Sequence, residues 1–581
     1  MVSLSISSFQ VAKVIRGGSI ISLACFLSGL LISQTALAQA ASRLDENCEI
    51  VNTPADSGFD FTEAISRWGT RDSFDIDNGH YHVRSIVTNQ LPIFDETNPD
   101  ENISLYRWVN RIHLDTKPGV IRNQLLFEPG EEVDSQMLSE SERLLRNQKY
   151  VAESKLRVLR KCGDTVDLEA VTREVWTMTP DISFHTSGGD TNFQLGVRDT
   201  NFLGTGQRVN VSYTNDPERT SYGIFFEHPD FRARRRVLKL AAADNSDGSV
   251  LQLQYAQPFF SLDSRHAWDL NLDKTDEVLT QYRWGDRITE VDHSKEIAEF
   301  SWGFSPGLQD QVTQRYSFGF RHENHRYGPG IERPSPALLP ADISLNYPFV
   351  QYERVEDNYA VGYNISQIYR TEDLHIGSWL TTSLGYSPGG DGQLIFSGLY
   401  RDTLLFRPKM LLQWHADWYG RLNQRSGDWE DTVASVALDF HRGQTENRTL
   451  YMGLAATHAI NLNASQQVFL GGSTGLRGYD SHYLNGDSAV RFSIEERLFT
   501  RYHLFQLLRV GVAGFYDVGR VFGSTEPNGN DLYQNVGFGL RLSPSKSDKG
   551  KVIHVDIAYP LNNHLPGGRT PQLVLEARES F

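Results

Sequence analysis

From Asp181 onward, apolar and polar residues alternate in run after run. Period two marks a strand with one apolar and one polar face. Val490 to Leu498 reads Val-Arg-Phe-Ser-Ile-Glu-Glu-Arg-Leu, and Val510 to Phe522 reads Val-Gly-Val-Ala-Gly-Phe-Tyr-Asp-Val-Gly-Arg-Val-Phe. With the polar face turned inward, Arg491, Ser493, Glu495 and Arg497 share one side of the first strand. Gly511, Ala513, Phe515, Asp517 and Gly519 take the same side of the second, while Val490, Phe492, Ile494 and Leu498, then Val510, Val512, Tyr516 and Val518, face away. Similar runs recur at Arg208 to Thr214, Tyr222 to His228, Val250 to Ala256, Arg315 to Arg321, Met410 to Trp418 and Val433 to Phe440. No apolar run of helical membrane-spanning length follows residue 40. A membrane barrel and a large soluble β-protein both satisfy this pattern. Aromatic residues are 11% of the chain and glycines number 48, which does not separate the two. The net charge of -16 argues against nucleic acid as a partner, because phosphates need a basic footprint.

One stretch stands apart: Gly471-Gly472-Ser473-Thr474-Gly475-Leu476-Arg477-Gly478-Tyr479-Asp480. An arginine in a glycine-flexible loop can reach two carboxylates, Glu495 and Asp517, on neighbouring inward faces. Arginine suits this because its planar fork stays charged and pairs bidentately with carboxylates. An ordinary loop with an incidental arginine is the plain alternative. A phosphate-binding loop is discounted, since no Gly-Lys-Ser/Thr follows the glycines.

Leu476-Arg477-Gly478-Tyr479, then Ser493-Ile494-Glu495, then Phe515-Tyr516-Asp517-Val518-Gly519 occur in that order. Together they resemble the C-terminal half of the BamA/TamA superfamily of bacterial outer-membrane proteins, the bacterial surface antigen type, which also contains two-partner secretion transporters. The resemblance implies an all-β membrane protein, a 16-stranded antiparallel transmembrane β-barrel over 181–581. It makes the glycine-rich stretch the sixth extracellular loop, folded into the lumen, with Arg477 locked onto Glu495 and Asp517. Asn201-Phe202-Leu203-Gly204-Thr205-Gly206 is similar to the start of such barrels. Five strands follow the loop, at 488–498, 509–518, 534–542, 552–559 and 572–580, the number a sixteen-stranded family barrel has there. More runs than the required eleven precede it, so sixteen rests on the resemblance. Gly328 to Asn346 reads as a long extracellular loop.

Residues 1–38 read as a signal peptide, with Lys13 and Arg16, an apolar stretch from Gly17 to Ser33, and Ala36-Leu37-Ala38 as the cleavage site. Residues 39–79 form a polar periplasmic extension, with a short helix read at Phe61 to Trp68. A strand at Tyr81 to Val87 and a helix at Leu105 to Ile112 follow. A second helix is capped by Asp134 or Ser135, with Met137, Leu138, Leu144 and Leu145 as its apolar stripe. Two strands, Lys155 to Arg160 and Val166 to Trp176, flank Cys162-Gly163-Asp164. This order, with Phe127-Glu128-Pro129-Gly130 before the second helix, resembles a POTRA domain, a small α+β periplasmic module, at 80–178. The mature chain keeps Cys48 and Cys162, and an oxidising compartment favours their pairing over two free thiols. At the other end Leu573, Leu575, Ala577 and Phe581 share one face. This resembles the sorting signal of outer-membrane barrels, although Glu579 departs from the apolar residue expected there.

No catalytic constellation emerges. His322-Glu323-Asn324-His325 lacks the i, i+4 spacing of a zinc helix, and there is no Gly-x-Ser-x-Gly elbow. The expectation is no enzyme, no cofactor and no metal. The resemblance implies an outer-membrane protein assembly, insertion or translocation factor, with its POTRA domain in the periplasm. Clients would pair at the POTRA edge and at the barrel seam between the first strand, about 192–199, and the last, 572–580. The implied partners are unfolded outer-membrane or secreted protein clients, outer-membrane lipid and accessory periplasmic proteins. Two readings stay open beside it: a two-partner-type transporter for one dedicated passenger, and a porin-like channel.

Overall fold

The computed structural model describes the chain from residue 48, apart from residues 62–79, 181–182, 188–189, 233–234, 331, 464–465, 548–549, 563–569 and 580–581. Residues 1–38, read as a signal peptide, all but the first residue of the helix read at Phe61 to Trp68, and the terminal Phe581 lie outside the described residues.

A small α+β domain comes first. Its five-stranded sheet has the order Glu49–Ile50, Val151–Cys162, Thr165–Glu174, Tyr81–Leu91, Glu132–Val133. The Tyr81–Leu91 and Thr165–Glu174 pair is parallel, and the others are antiparallel. Helices Ser104–Ile112, Pro118–Arg122 and Ser135–Arg146 accompany it. The Asp134 carboxylate caps the last helix by accepting from the Met137 N–H at 2.7 Å. Leu138 and Leu145 of that helix are buried against Val83, Leu156 and Leu168 of the sheet. The short helix is not legible in the sequence, because five residues cannot show a 3.6-residue period; its marker is Pro118 at its start. Cys48 is disulfide-bonded to Cys162. This ties Glu49–Ile50 to Val151–Cys162 at the edge of the sheet, so the domain draws residues from the extension that precedes it.

The rest of the chain forms a closed antiparallel barrel. Around the ring, strands Asp190–Phe202, Gln207–Asn215, Thr220–His228, Val237–Asn245, Gly248–Gln257, His266–Arg283 and Asp286–Phe304 follow chain order. Then come Val312–Pro329, Ile343–Glu356, Trp379–Ser387, Gln393–Arg407, Met410–Asn423, Trp429–Thr445 and Arg448–Ile460. Ser488–Leu504, Leu508–Phe522, Tyr533–Pro544, Lys551–Pro560 and Gln572–Glu579 complete the series. Met178–Pro180 and Ser183–Ser187 both pair with Asp190–Phe202 and act as one strand that closes the circle.

Among the described residues this makes twenty strands, not the sixteen implied by the resemblance. Five follow the Arg477 loop, so the surplus precedes it. The four strands from Gln207 to Gln257 have nine or ten residues each. That is long enough to cross a bilayer core when tilted, so none is a mere loop hairpin. The seam differs as well. The last strand meets the Met178–Ser187 segment rather than 192–199, because the chain makes one more pass before the strand taken as first. Gly328 to Asn346 is strand at both ends, which confines the loop to 330–342.

Outward-facing positions are apolar and exposed: Val197, Ile224, Leu251, Phe320, Val350 and Phe538 are each at least half uncovered. A closed ring with such a belt matches a lipid environment, where every backbone group must be paired within the protein. Turn residues 203–206, 229–232, 505–507 and 545–547 lie at the mouth beside the α+β domain. Lys117 N–H donates to Gly204 O at 2.8 Å, and Lys546 Nζ donates to Glu101 at 2.8 Å. The connection between Ile343–Glu356 and Trp379–Ser387 leaves this same mouth as a separate hairpin, Tyr359–Tyr363 with Thr371–His375.

Candidate functional site: the Arg477 loop

The connection from Ile460 to Ser488 leaves the far mouth and folds inward. Val468–Leu470 pairs with Leu484–Gly486, and between them the chain makes one 3-10 turn at Gly472–Thr474. Gly475 sits at φ 110, a backbone state L side chains rarely adopt, and a Cβ there would lie 2.5 Å from the Arg491 guanidinium. Leu476, Tyr479 and Tyr483 are buried with Tyr533 and Val521 of the wall. The Tyr479 hydroxyl donates to Gln534 O at 2.7 Å. The loop also reaches the opposite side of the mouth, where Asn485 Nδ2 donates to Tyr282 O at 2.8 Å and His482 stacks on Tyr282.

Arg477 is 4% exposed and its fork is fully used. Nε and Nη2 hold the two oxygens of Asp517 at 2.9 and 2.8 Å. Nη1 donates to Glu495 at 3.0 Å and to Asp556 at 3.0 Å. The guanidinium carbon lies 3.3 Å from the centroid of the Phe515 ring. The carboxylates are shared with further cations. Arg541, 1% exposed, donates to Glu495 at 2.9 Å and to Asp556 at 2.5 Å, and Arg497 donates to Glu495 at 2.8 Å. Ser493 Oγ and Asn535 Nδ2 donate to Asp517 at 2.5 and 2.9 Å. Three arginines thus face three carboxylates. The balance matters because an unpaired buried charge is far costlier than a paired one.

Glu495, Asp517, Asn535, Arg541 and Asp556 come from four consecutive strands and point to the lumen. The alternation places Glu495, Arg497, Phe515 and Asp517 inward, as found. Arg541 and Asp556 were not among the residues singled out from the sequence, yet the same signal held them. With Leu540 and Leu542 outward, Arg541 faces in; with Val555 and Ile557 outward, so does Asp556. Gly478, next to the arginine, lies against the wall, where a Cβ would meet the Asn535 Cβ at 2.7 Å. Glycine at this position lets the loop backbone approach the strands.

The remaining residues singled out from the sequence are dispersed. Leu573 is exposed on the outer face, Leu575 is half-buried, and the side chain of Ala577 lies outside the described residues. His325 bonds Glu323 at 2.8 Å and His293 at 2.9 Å, while His322 turns to Asn346. Beside this chain of imidazoles, far-end side chains including Glu218, Asp247, Glu277, Glu290 and Asp292 line an acidic cavity of about 720 Å³. Among the described residues, donor atoms of His113, Asp115 and Glu174 lie within 4.8 Å of one another, a spacing open to a metal ion. Glu174 already binds His113 at 2.6 Å and the Thr116 N–H at 2.9 Å, which accounts for its burial at the junction of domain and barrel.

No protein-family model matches the chain, and no curated protein matches it. Among solved structures it is similar to BamA from Haemophilus ducreyi lacking POTRA domains 1-3, at 14% identity over 86% of this chain and 84% of that one, TM-score 0.39. It is similar to CdiB from Acinetobacter baumannii, at 12% identity over 96% and 99%, TM-score 0.41. It is also similar to the FrpB iron transporter from Neisseria meningitidis (F5-1 variant), at 9% identity over 73% and 87%, TM-score 0.38.

Proposed function

We propose that this chain is an outer-membrane assembly, insertion or translocation factor, with the α+β domain acting as a periplasmic POTRA module. The observation that carries the reading is the Arg477 lock: a long loop is held inside the lumen by a balanced charge cluster on four strands close to the seam. A passive pore gains nothing from so costly a cluster, whereas a barrel whose seam must open needs the wall beside that seam and the loop held firm. The seam supports the same reading. Among the described residues its first strand contributes the short pieces Met178–Pro180 and Ser183–Ser187. Few ladder bonds must break there, and the exposed edges in lipid would drive pairing with a client strand. The partners on this reading are unfolded barrel or secreted proteins, outer-membrane lipid and accessory periplasmic proteins, and no bond chemistry is involved. Export of one dedicated passenger is the second reading, favoured by the hairpin that enters the lumen from the domain mouth.

The test is depletion of the protein in its host, with wild type or Arg477→Ala supplied back. Folded outer-membrane proteins are counted by heat-modifiability beside a comparison of secreted proteins. Loss of many barrels, restored by wild type and not by Arg477→Ala, supports assembly. Loss of a single secreted protein with barrels intact overturns it in favour of dedicated export.

A further inference from the structure

The hairpin between Ile343–Glu356 and Trp379–Ser387 is longer than a turn requires. Elsewhere at this mouth the connections between wall strands run from two residues, as at 408–409 and 446–447, to eight, as at 258–265. Here 357–378 turn back into the barrel. Ile365 and Leu374 are buried against Leu411 of the wall. At the tip, Asn364 Nδ2 donates to Glu446 O at 3.0 Å and Asn364 O accepts from Thr449 Oγ1 at 3.0 Å. Arg497 Nη1 donates to Ile365 O at 3.2 Å. The same Arg497 holds Glu495, and Glu495 holds Arg477. The hairpin rising from one mouth and the loop descending from the other therefore grip the same pair of side chains.

The base of the hairpin is held by the α+β domain. Arg146 is buried, oriented by Glu142 one helical turn before it, and donates to both oxygens of Asp373 at 2.9 and 2.8 Å. Arg143 lies over the Tyr359 ring at 3.8 Å and reaches Asp357 at 3.4 Å. Val361 packs against Phe61, Leu91 and Val171 of the domain.

We propose that the 357–378 hairpin is a removable plug of the domain-side mouth, and that the α+β domain, through Arg146 and Asp373, sets whether it is seated. A wall strand cannot leave the ring without exposing its backbone to lipid. The hairpin pairs only with itself and contacts the wall by side chains and a few carbonyls, so it can withdraw as a unit. A domain that shifts on engaging a ligand would drag Asp373 and unseat the tip. The inference goes beyond the assembly reading and holds equally for a barrel that exports.

The test uses the purified full chain in planar bilayers. Replacing 359–375 by a short Gly-Ser linker is expected to raise conductance several-fold in a barrel that stays heat-modifiable. Unchanged conductance in that folded barrel overturns the plug. Should the shortened chain not fold, Leu374→Cys in the intact hairpin gives a second readout. Adding Asp373→Ala should raise its maleimide labelling rate roughly tenfold, because a buried ion pair that fixes the seated state is gone. An unchanged rate overturns control by the domain. Neither readout needs a client protein, so a negative result leaves the depletion experiment to judge the assembly reading separately.

Discussion

Replacing Arg477 by Ala turns a three-to-three charge cluster into two cations against three carboxylates. The loss falls unevenly. Glu495 keeps Arg497 at 2.8 Å and Arg541 at 2.9 Å, and Asp556 keeps Arg541. Asp517 keeps only two neutral donors, Ser493 and Asn535. It is 1% exposed, so it becomes the uncompensated buried charge. Removing one partner of such a pair costs about 3–5 kcal/mol. The lost stacking on Phe515 falls within that sum, at about 0.5–2 kcal/mol. The specific claim is that Asp517 carries most of the penalty. Asp517→Asn added to Arg477→Ala should therefore return about 2 kcal/mol, although Asp517→Asn alone destabilises by leaving Arg477 short of a partner. The assay is the unfolding midpoint of the purified barrel, read by gel-shift heat-modifiability for wild type, both single variants and the double. An Arg477→Ala barrel that melts with wild type would refute this assignment of the charge. Simple additivity of the two substitutions would refute it too, since that would place the penalty elsewhere in the cluster.

Three further outcomes follow from the same structure. Gly478→Ala would force a Cβ to within 2.7 Å of Asn535, and overpacking of that kind costs about 1–3 kcal/mol; protease sensitivity of the 461–487 loop should rise while the barrel remains folded. In the α+β domain, Asp167 is desolvated, yet Arg84, Ser85 and Arg160 outweigh that and hold its carboxyl down to about 2 from an ordinary 3.8. A depressed acid stabilises the fold above the unfolded value and loses that contribution as pH falls. Wild type should lose about 1–2 kcal/mol more than Asp167→Asn between roughly pH 4 and pH 2, the part-exposed arginines being screened by solvent; the readout is acid titration of domain fluorescence. Cys162→Ser breaks the tether to Cys48 across 114 residues of chain and should cost about 2–4 kcal/mol of domain stability, with protease cleavage near Glu49 as the sign.

The inward set of charges was legible because a strand gives a residue only two directions. Once Val490 and Ile494 face lipid, Glu495 has only the lumen to face, and the same count extends to Asp517, Arg541 and Asp556. The Asp134 cap and the Leu138 and Leu145 stripe were legible for the equivalent reason in a helix. Strand number was not. Alternation says that a run is a strand but not whether it stands in the wall, and Thr220 to Gln257 reads alike in either place. The hairpin at 357–378 was illegible too. Ile365 and Leu374 look like scattered loop residues until the barrel supplies Leu411 to cover them. Arg497 gave no hint that its second partner would be the backbone carbonyl of Ile365, because a backbone acceptor leaves no trace in side-chain pattern.

The parity of the ring has a consequence of its own. Twenty passes are an even number, so the polypeptide leaves the wall on the side where it entered. The α+β domain and the far end of the Gln572–Glu579 strand must share one compartment, and every second connection must open into the other. An epitope placed in the 424–428 connection would be reachable only from the compartment opposite the domain, and one in the 545–550 connection only from the domain's own side. A surface-labelling map of intact cells would therefore report the orientation of the whole molecule from two insertions.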